Sequence, residues 1–510
     1  MLGQVETTSA VAAQVPRARH AGRALSLAAL FAFSAGLLVW RLWCIGLGPD
    51  PDTDAYGHFV IARLLLETPL NLRIHWVWLP LYHALLALPV ALGATLDHVR
   101  AGNALLAVLP PFLLLQALRR RHLLIGPDAT AADAAGTDAA VPYVASALAA
   151  ASPLFVEMGT TGQMEVWFSV LVVLAAALLA RERYGWAALA LGAAALTRYE
   201  GWAVAAVVAA ELARRRLLRA ERWTGGELAC VLGPAMSVLG WALARRLGGE
   251  PWFGFILDNQ AFAERVLEHG AADRLLAITR YVSVAPYRAF GVCAPLALLG
   301  LRRTWRREGV WWVAPGLAIL AFLTLSALSR SHLGLDRHFV SAIPFVATWM
   351  AHGLAALAGG AARALRRPAA ARVCFAAFGA LAAWGALARL EGGLAPWSVA
   401  TRSALPEVRR LAEFLQALPG AALVVCDDAV VEVLSELEPA RFVRTRPDAR
   451  FETRLRELAA SGDVYIVSRV RQLHGYVPAG RVSYGELDGP PEAFVAIRVA
   501  AGAPPVNAQD

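Results

Sequence analysis

Residues 101–121 read AGNALLAVLPPFLLLQALRRR. Residues 101–118 carry no charge, and three arginines follow at once. A run of about that length can cross a hydrocarbon core of about 30 Å, and clustered arginine keeps the flanking loop on the cytoplasmic side. The signature recurs along the chain. Further apolar runs lie near 24–42, 141–157, 166–180, 185–198, 202–213, 228–244, 284–301, 309–328, 339–358 and 373–390. With 101–118 counted as the second, every even-numbered run ends in arginines. These are Arg119 to Arg121, Arg181 with Arg183, and the clusters Arg214 to Arg222, Arg302 to Arg307 and Arg363 to Arg372. The alternation predicts about eleven spans, a cytoplasmic N-terminal tail (1–23) and an extracytoplasmic C-terminus. Pro80 to Leu96 would spoil it as a span; its prolines and its length of about 17 residues predict an interfacial or re-entrant helix instead.

Composition agrees. Of 510 residues, 58% are hydrophobic and 17% charged, with a mean hydropathy of +0.50. A soluble chain is about 25% charged, so a wholly soluble enzyme, a disordered chain and a collagen-like fibre are excluded. All 48 basic residues are arginine, and the net charge is +9. Arginines in cytoplasmic loops account for this balance without a nucleic-acid partner. Cys44, Cys230, Cys293, Cys374 and Cys426 have no paired spacing, which argues against a disulfide framework or a thiolate zinc site.

The expected fold is therefore mainly α: a polytopic transmembrane helical bundle over 24–390. It has two long outward loops, 45–100 and 246–283. From 398 to 510 the pattern changes to a helix at 405–418, strands at 421–426, 441–444, 463–469 and 493–499, and helices at 428–437 and 451–460. That order predicts a small extracytoplasmic α/β domain. It holds no G-x-G-x-x-G or P-loop, so no nucleotide site is expected there.

Ionisable groups at membrane depth are costly and usually serve a cavity. The first outward loop opens GPDPDTDAYGH (48–58), with Asp50, Asp52 and Asp54 at alternate positions, His58 beside them and Arg63 downstream. Such acids can cap the helix that begins near Asp54, cradle a hard cation or act as a general base. Glu165 ends GTTGQME (159–165) at the mouth of the fourth run, where a helix N-terminus favours a carboxylate whatever its role. Arg198 and Glu200, in LTRYEGW (196–202), are either a self-neutralised pair or an arginine fork for a phosphate oxygen. Residues 329–338, SRSHLGLDRH, put Arg337 and His338 outside, against the topological trend. His83, in WLPLYH (78–83), is either a hydrogen-bonded structural histidine or a metal ligand.

These motifs, in this order, resemble the C-type glycosyltransferase superfamily (GT-C). The likeness is strongest to the branch of protein O-mannosyltransferases, aminoarabinose transferases and RgtA/B/C/D-like enzymes, over roughly residues 20–360. The family has a catalytic Asp nine residues before an Arg, as Asp54 and Arg63 stand in DTDAYGHFVIAR. Its second acid after a G-T element falls on Glu165, although many relatives have Asp there. Its donor-phosphate base after Thr falls on Arg198. Its R-[YH]-x-x-x-x-x-P element falls on Arg337, His338 and Pro344. The interfacial helix of the family falls on WLPLYH.

The resemblance implies a hexosyl- or pentosyltransferase of the cell envelope. It would move a sugar, with inversion, from a polyprenyl-phosphate donor to a lipid, glycan or protein acceptor outside the cytoplasm. Asp54 and Glu165 would be the catalytic acids. Asp52, His58, Arg63, Arg198, Glu200, Arg337 and His338 would bind substrate. A divalent metal is possible, with Asp52, Asp54, Glu165 and His83 as candidate ligands. Membrane lipids are expected partners and nucleic acid is not. The competing reading is a transporter or flippase for a lipid-linked or anionic solute; a third is a non-catalytic assembly factor.

Overall fold

The computed structural model describes residues 27–124, 138–266, 279–329, 331, 335–365, 373, 376, 377 and 379. Beyond these it describes 410–426, 428–444, 451–469 and 494–499. The chain divides into two compact units. One is Met1–Gly48 with Leu64–Gly393; the other is Pro49–Arg63 with Leu394–Asp510.

The first unit is helical. Among the described residues, five helices are long and apolar enough to cross a membrane: Leu27–Gly46, Leu96–Arg119, Gly225–Leu247, Val310–Leu328 and Asp336–Ala361. A sixth arises if Arg280–Cys293 and Leu296–Glu308, bent by 89° at their junction, form one span. Val141–Ala151, Glu165–Leu179 and Tyr184–Ala195 are shorter apolar helices. The first of these stops early because Ser152-Pro153 restarts the third run as Pro153–Met158, and the last because the fifth run turns at Leu196. The expected run 373–390 lies largely outside the described residues. Pro80–Ala91 forms a helix of 12 residues, which rises about 18 Å. That is short of a bilayer core, as are the helices Val141–Ala151 and Tyr184–Ala195.

Small residues set the tightest crossing. Helix Leu296–Glu308 meets Ile343–Ala364 at Gly300 and Gly353. A Cβ on Gly300 would lie 1.7 Å from the Trp349 carbonyl oxygen, and one on Gly353 would lie 2.1 Å from that of Leu296. Only glycine allows such backbone approach, a familiar device where lipid supplies no hydrophobic drive between helices. Polar clasps flank the crossing: Trp349 Nε1 donates to the Trp312 carbonyl (2.8 Å), and buried His352 Nε2 lies 3.1 Å from Glu308 Oε1.

The second unit carries the α/β elements. Its strands are β1 (Leu423–Val425), β2 (Phe442–Val443), β3 (Val464–Arg469) and β4 (Phe494–Val499), in the order β2-β1-β3-β4. β1 runs parallel to both β2 and β3, and β4 closes antiparallel on β3 with Ile466 opposite Ile497. Val424 and Val425 face opposite sides, one packing with Leu415, Phe442 and Val467, the other with Leu455, Val464 and Ile466. Both faces of β1 are thus covered, which explains its uninterrupted apolar reading. Helix Ala429–Leu434 is capped by Asp428, which accepts from Val430 N at 2.9 Å.

Candidate functional site

Three turns of the helical unit bring charged side chains together. The first precedes helix Glu165–Leu179. Its backbone is gripped from other helices. Asn103 Nδ2 donates to the Thr161 and Gln163 carbonyls (both 2.8 Å), and Arg100 Nε to the Thr160 carbonyl (2.9 Å). The Tyr82 hydroxyl donates to the Gly162 carbonyl (2.7 Å), and Trp167 Nε1 to Asn103 Oδ1 (2.8 Å). Glu165, the first helical residue, is therefore delivered at a fixed place and is only 1% exposed.

The second turn joins helix Tyr184–Ala195 to Glu200–Arg219. It is tight: a Cβ on Gly201 would lie 2.5 Å from the Ala194 carbonyl oxygen. Thr197 Oγ1 donates to the Ala193 carbonyl and Trp202 Nε1 to that of Ala195 (both 2.8 Å). The Tyr199 hydroxyl reaches the Val77 carbonyl (2.5 Å). Burial holds the Tyr199 phenol well above its ordinary range, so it stays a donor. The turn presents Arg198. Its Nη1 donates to Glu165 Oε1 at 2.8 Å, and its Nε and Nη2 donate to Glu200 Oε1 at 3.1 and 2.8 Å. One guanidinium thus bridges two buried carboxylates.

The third turn, Asp336–Ala342, leads into helix Ile343–Ala364. Arg337 Nε lies 3.7 Å and His338 Nε2 4.0 Å from Glu165 Oε1. Tyr281, from a π-helical turn at Arg280–Val284, donates its hydroxyl to the Leu335 carbonyl (3.0 Å) and sits 3.5 Å from His338 Nδ1. Asp336 is clamped by Arg280 (3.2 Å) and Arg288 (2.5 Å). π-turns inside helices recur at functional sites.

The cluster holds two acids, Glu165 and Glu200, and two arginines, Arg198 and Arg337, with His338 at its edge. Glu165 is ion-paired with Arg198 and has Arg337 and His338 within 4.0 Å. His83, the other candidate ligand in this unit, has its Nδ1 2.8 Å from His75 Nδ1, a hydrogen-bond distance. Among the described residues, no three or more His, Cys, Asp or Glu side chains converge as a metal site.

Asp50, Asp52, Asp54, His58 and Arg63 belong to the other unit. There Asp50 Oδ1 accepts from Asp52 N (3.0 Å), and Asp52 Oδ1 accepts from Asp54 N (3.1 Å). Asp52 is thus the cap of helix Thr53–Glu67, and Asp54 lies in its first turn. His58 is fully buried, and Arg63 Nη1 stands 3.8 Å from Glu432, which Arg444 also binds.

Sequence reading placed Glu165, Arg198, Glu200, Arg337 and His338, and missed the side chains that hold them: Tyr82, Arg100, Asn103, Tyr199 and Tyr281. Arg100 and Asn103, three apart at the start of an apolar run, were a signal. Such a pair shares one helix face, and polar groups there seek partners.

No protein-family model matches the sequence, and no curated protein does. Solved structures do. The crystal structure of ArnT from Cupriavidus metallidurans bound to undecaprenyl phosphate is similar with a TM-score of 0.57 at 15% identity. The alignment covers 93% of this chain and 99% of that one. The apo ArnT structure from the same organism gives 0.55 at 14% identity, covering 93% and 100%. At that identity the likeness is one of fold, and it extends over nearly the whole length of both chains.

Proposed function

We propose that this chain is an integral-membrane glycosyltransferase. It moves a sugar from a polyprenyl-phosphate carrier to an acceptor hydroxyl on the extracytoplasmic side. The observation that carries the reading is the meeting of Arg198 and Arg337 at Glu165. Two permanently charged guanidinium groups from turns far apart in sequence are held there by buried carboxylates and a fixed backbone. The ArnT fold supports it, since that enzyme was crystallised with undecaprenyl phosphate.

As the acceptor oxygen attacks the anomeric carbon, the bond from that carbon to the carrier phosphate breaks. Its electron pair goes to the phosphate oxygen. Arg198 and Arg337 are the groups suited to that growing charge. Arginines already oriented by Glu165 and Glu200 need no reorganisation at the moment of transfer, the condition under which electrostatic stabilisation is largest. The acceptor proton goes to a carboxylate. Asp54 is the candidate, on the strength of its DTDAYGHFVIAR context and because the helix cap beside it is Asp52. Attack from the face opposite the leaving phosphate inverts the anomeric centre. The N-terminus is cytoplasmic and the α/β elements extracytoplasmic, as the arginine alternation requires.

The test begins with the glycan that disappears, by mass spectrometry, when the protein is deleted. Purified protein is then assayed with a panel of polyprenyl-phosphate sugars and that acceptor. Transfer by the wild type, lost in Arg198→Gln, is expected. The 89° break at residues 293–296 is a feature transporters share. Flipping or uptake by the wild type without any transfer would favour that alternative and overturn the proposal.

A further inference from the structure

The segment between His75 and His83 touches both turns that carry the ion pair. Leu81 N donates to the Leu196 carbonyl (3.1 Å), and the Val77 carbonyl accepts from Tyr199 (2.5 Å), both on the Arg198 turn. The Tyr82 hydroxyl donates to Gly162 (2.7 Å), on the Glu165 turn. All three contacts fall within a loop closed at its ends by the His75–His83 hydrogen bond.

That loop does not close by itself. Trp76 adopts φ +48°, a left-handed conformation that a bulky residue holds only when its surroundings impose it. Arg245 Nη1 fixes the carbonyls of Leu72 and Trp76 (3.2 and 3.1 Å) and is itself paired with Glu250. His75 and His83 are both buried, their ring centroids 4.9 Å apart, with the Trp241 ring edge-on to His75 and the Trp78 ring edge-on to His83. An Nδ1-to-Nδ1 hydrogen bond requires opposite tautomers: one ring carries the proton on Nδ1, the other on Nε2.

We propose that the His75–His83 pair is a positioning element. Its shared proton fixes the register of residues 75–83, and that register sets the Glu165 turn and the Arg198 turn at the spacing their ion pair needs. This rests on the reading of Arg198 as a carrier-phosphate contact. It gives both histidines a role distinct from ligation and predicts a dependence on which ring nitrogen is replaced. In His83→Asn the amide lies where Nδ1 was. In His83→Gln it lies where Nε2 was.

The experiment uses the full chain in lipid nanodiscs with undecaprenyl phosphate as probe, its affinity read by native mass spectrometry. His83→Asn is expected to bind within about threefold of wild type and His83→Gln about tenfold more weakly, at similar melting temperatures. Nitrogen-15 histidine spectra of the wild type should contain one buried ring protonated at Nδ1 and one at Nε2, and the His75 ring should keep its wild-type tautomer in His83→Asn but not in His83→Gln. Equal affinities for Asn and Gln, or spectra with both rings in one tautomer, overturn the proposal. Arg198→Gln separates the two layers. If it binds the probe as tightly as wild type, the carrier-phosphate reading falls and takes this inference with it. If it loses binding while both His83 variants retain it, only the inference falls.

Discussion

Two stretches of this chain carry acids that look equivalent in sequence, and they are built on different principles. At residues 50–54 the carboxylates answer to their own backbone: Asp50 holds Asp52 N, and Asp52 holds Asp54 N. At Glu165 the carboxylate answers to Arg198, 33 positions away, and stands beside Arg337 from a third turn. The first arrangement is a helix cap and survives wherever the local chain folds. The second exists only if several helices dock correctly. Groups that depend on docking are positioned to a fraction of an ångström, the tolerance that transition-state electrostatics require. Residue type alone does not separate a backbone cap such as Asp52 from a docked carboxylate such as Glu165; the sequence distance to the partner does.

The largest expected effect comes from breaking the docked cluster. Arg198→Gln leaves Glu165 and Glu200 as buried carboxylates deprived of a main partner. Removing one member of a buried pair typically costs about 3–5 kcal/mol of stability. Losing a preorganised charge contact typically costs about 10²–10³ in kcat. Adding Glu200→Gln to that variant removes one uncompensated charge and should recover part of the melting temperature, measured in detergent, without recovering turnover. A double variant no more stable than the single one would mean the cluster is not held by charge balance.

Asp54→Asn sharpens the contrast from the other side. General-base assistance is worth about 10²–10⁴-fold, so turnover should fall by that order while the melting temperature stays within about a degree. Asp52, not Asp54, captures the helix nitrogen, so the helix cap survives the substitution. Full turnover in Asp54→Asn would remove Asp54 as base.

Acid should loosen the docked cluster through its strap. Burial and the adjacent Arg245 push the His75 imidazole down to about 4, against about 6.5 in an unfolded chain. His83, Trp241 and the Arg245–Glu250 pair face it. Between those two values the unfolded state binds the extra proton, so stability is full above pH 6.5, falls as pH drops through that range and levels near pH 4. The difference amounts to about 3 kcal/mol. His75→Phe should flatten that part of the profile, read as melting temperature against pH. An unchanged slope would assign the acid sensitivity to another group.

The helical class and the order of the C-terminal elements were legible because both rest on periodicity and length, which one sequence carries. Among the described residues the apolar runs are largely helical, and 421–426, 463–469 and 493–499 contain the strands found there. Glu165, Arg198 and Arg337 were legible as expensive charges at the ends of apolar runs. What could not be read was the scaffolding. Nothing local marks Tyr82 as the partner of Gly162 or Tyr199 as the partner of Val77, separated by 80 and 122 positions. Those bonds follow from how helices stack. Their donors are aromatic residues whose apolar bodies already had an ordinary reason to sit at an interface. The fifth and sixth runs had soft boundaries for a related reason. The reversal at 196–201 is made possible by Gly201 against Ala194, a tertiary approach and not a turn motif.

That reversal yields the smaller stability predictions and completes the contrast. Gly201→Ala places a Cβ 2.5 Å from a backbone oxygen. Backbone cannot rotate away as a side chain can, so a cost of about 1–3 kcal/mol is expected. It should be accompanied by weaker carrier binding, because the shifted turn carries Arg198. Asp52→Ala, in the other region, removes a helix cap, worth about 1 kcal/mol, and should leave carrier binding untouched. The ordering matters more than either number. If the docked site needs accurate placement and the acidic loop needs only its local bonds, a one-methyl change at Gly201 must lower affinity for undecaprenyl phosphate more than loss of a whole carboxylate at Asp52. The reverse order in a side-by-side binding assay would mean that Asp52 contacts the ligand and that the loop, not the three-turn cluster, is where the phosphate is held.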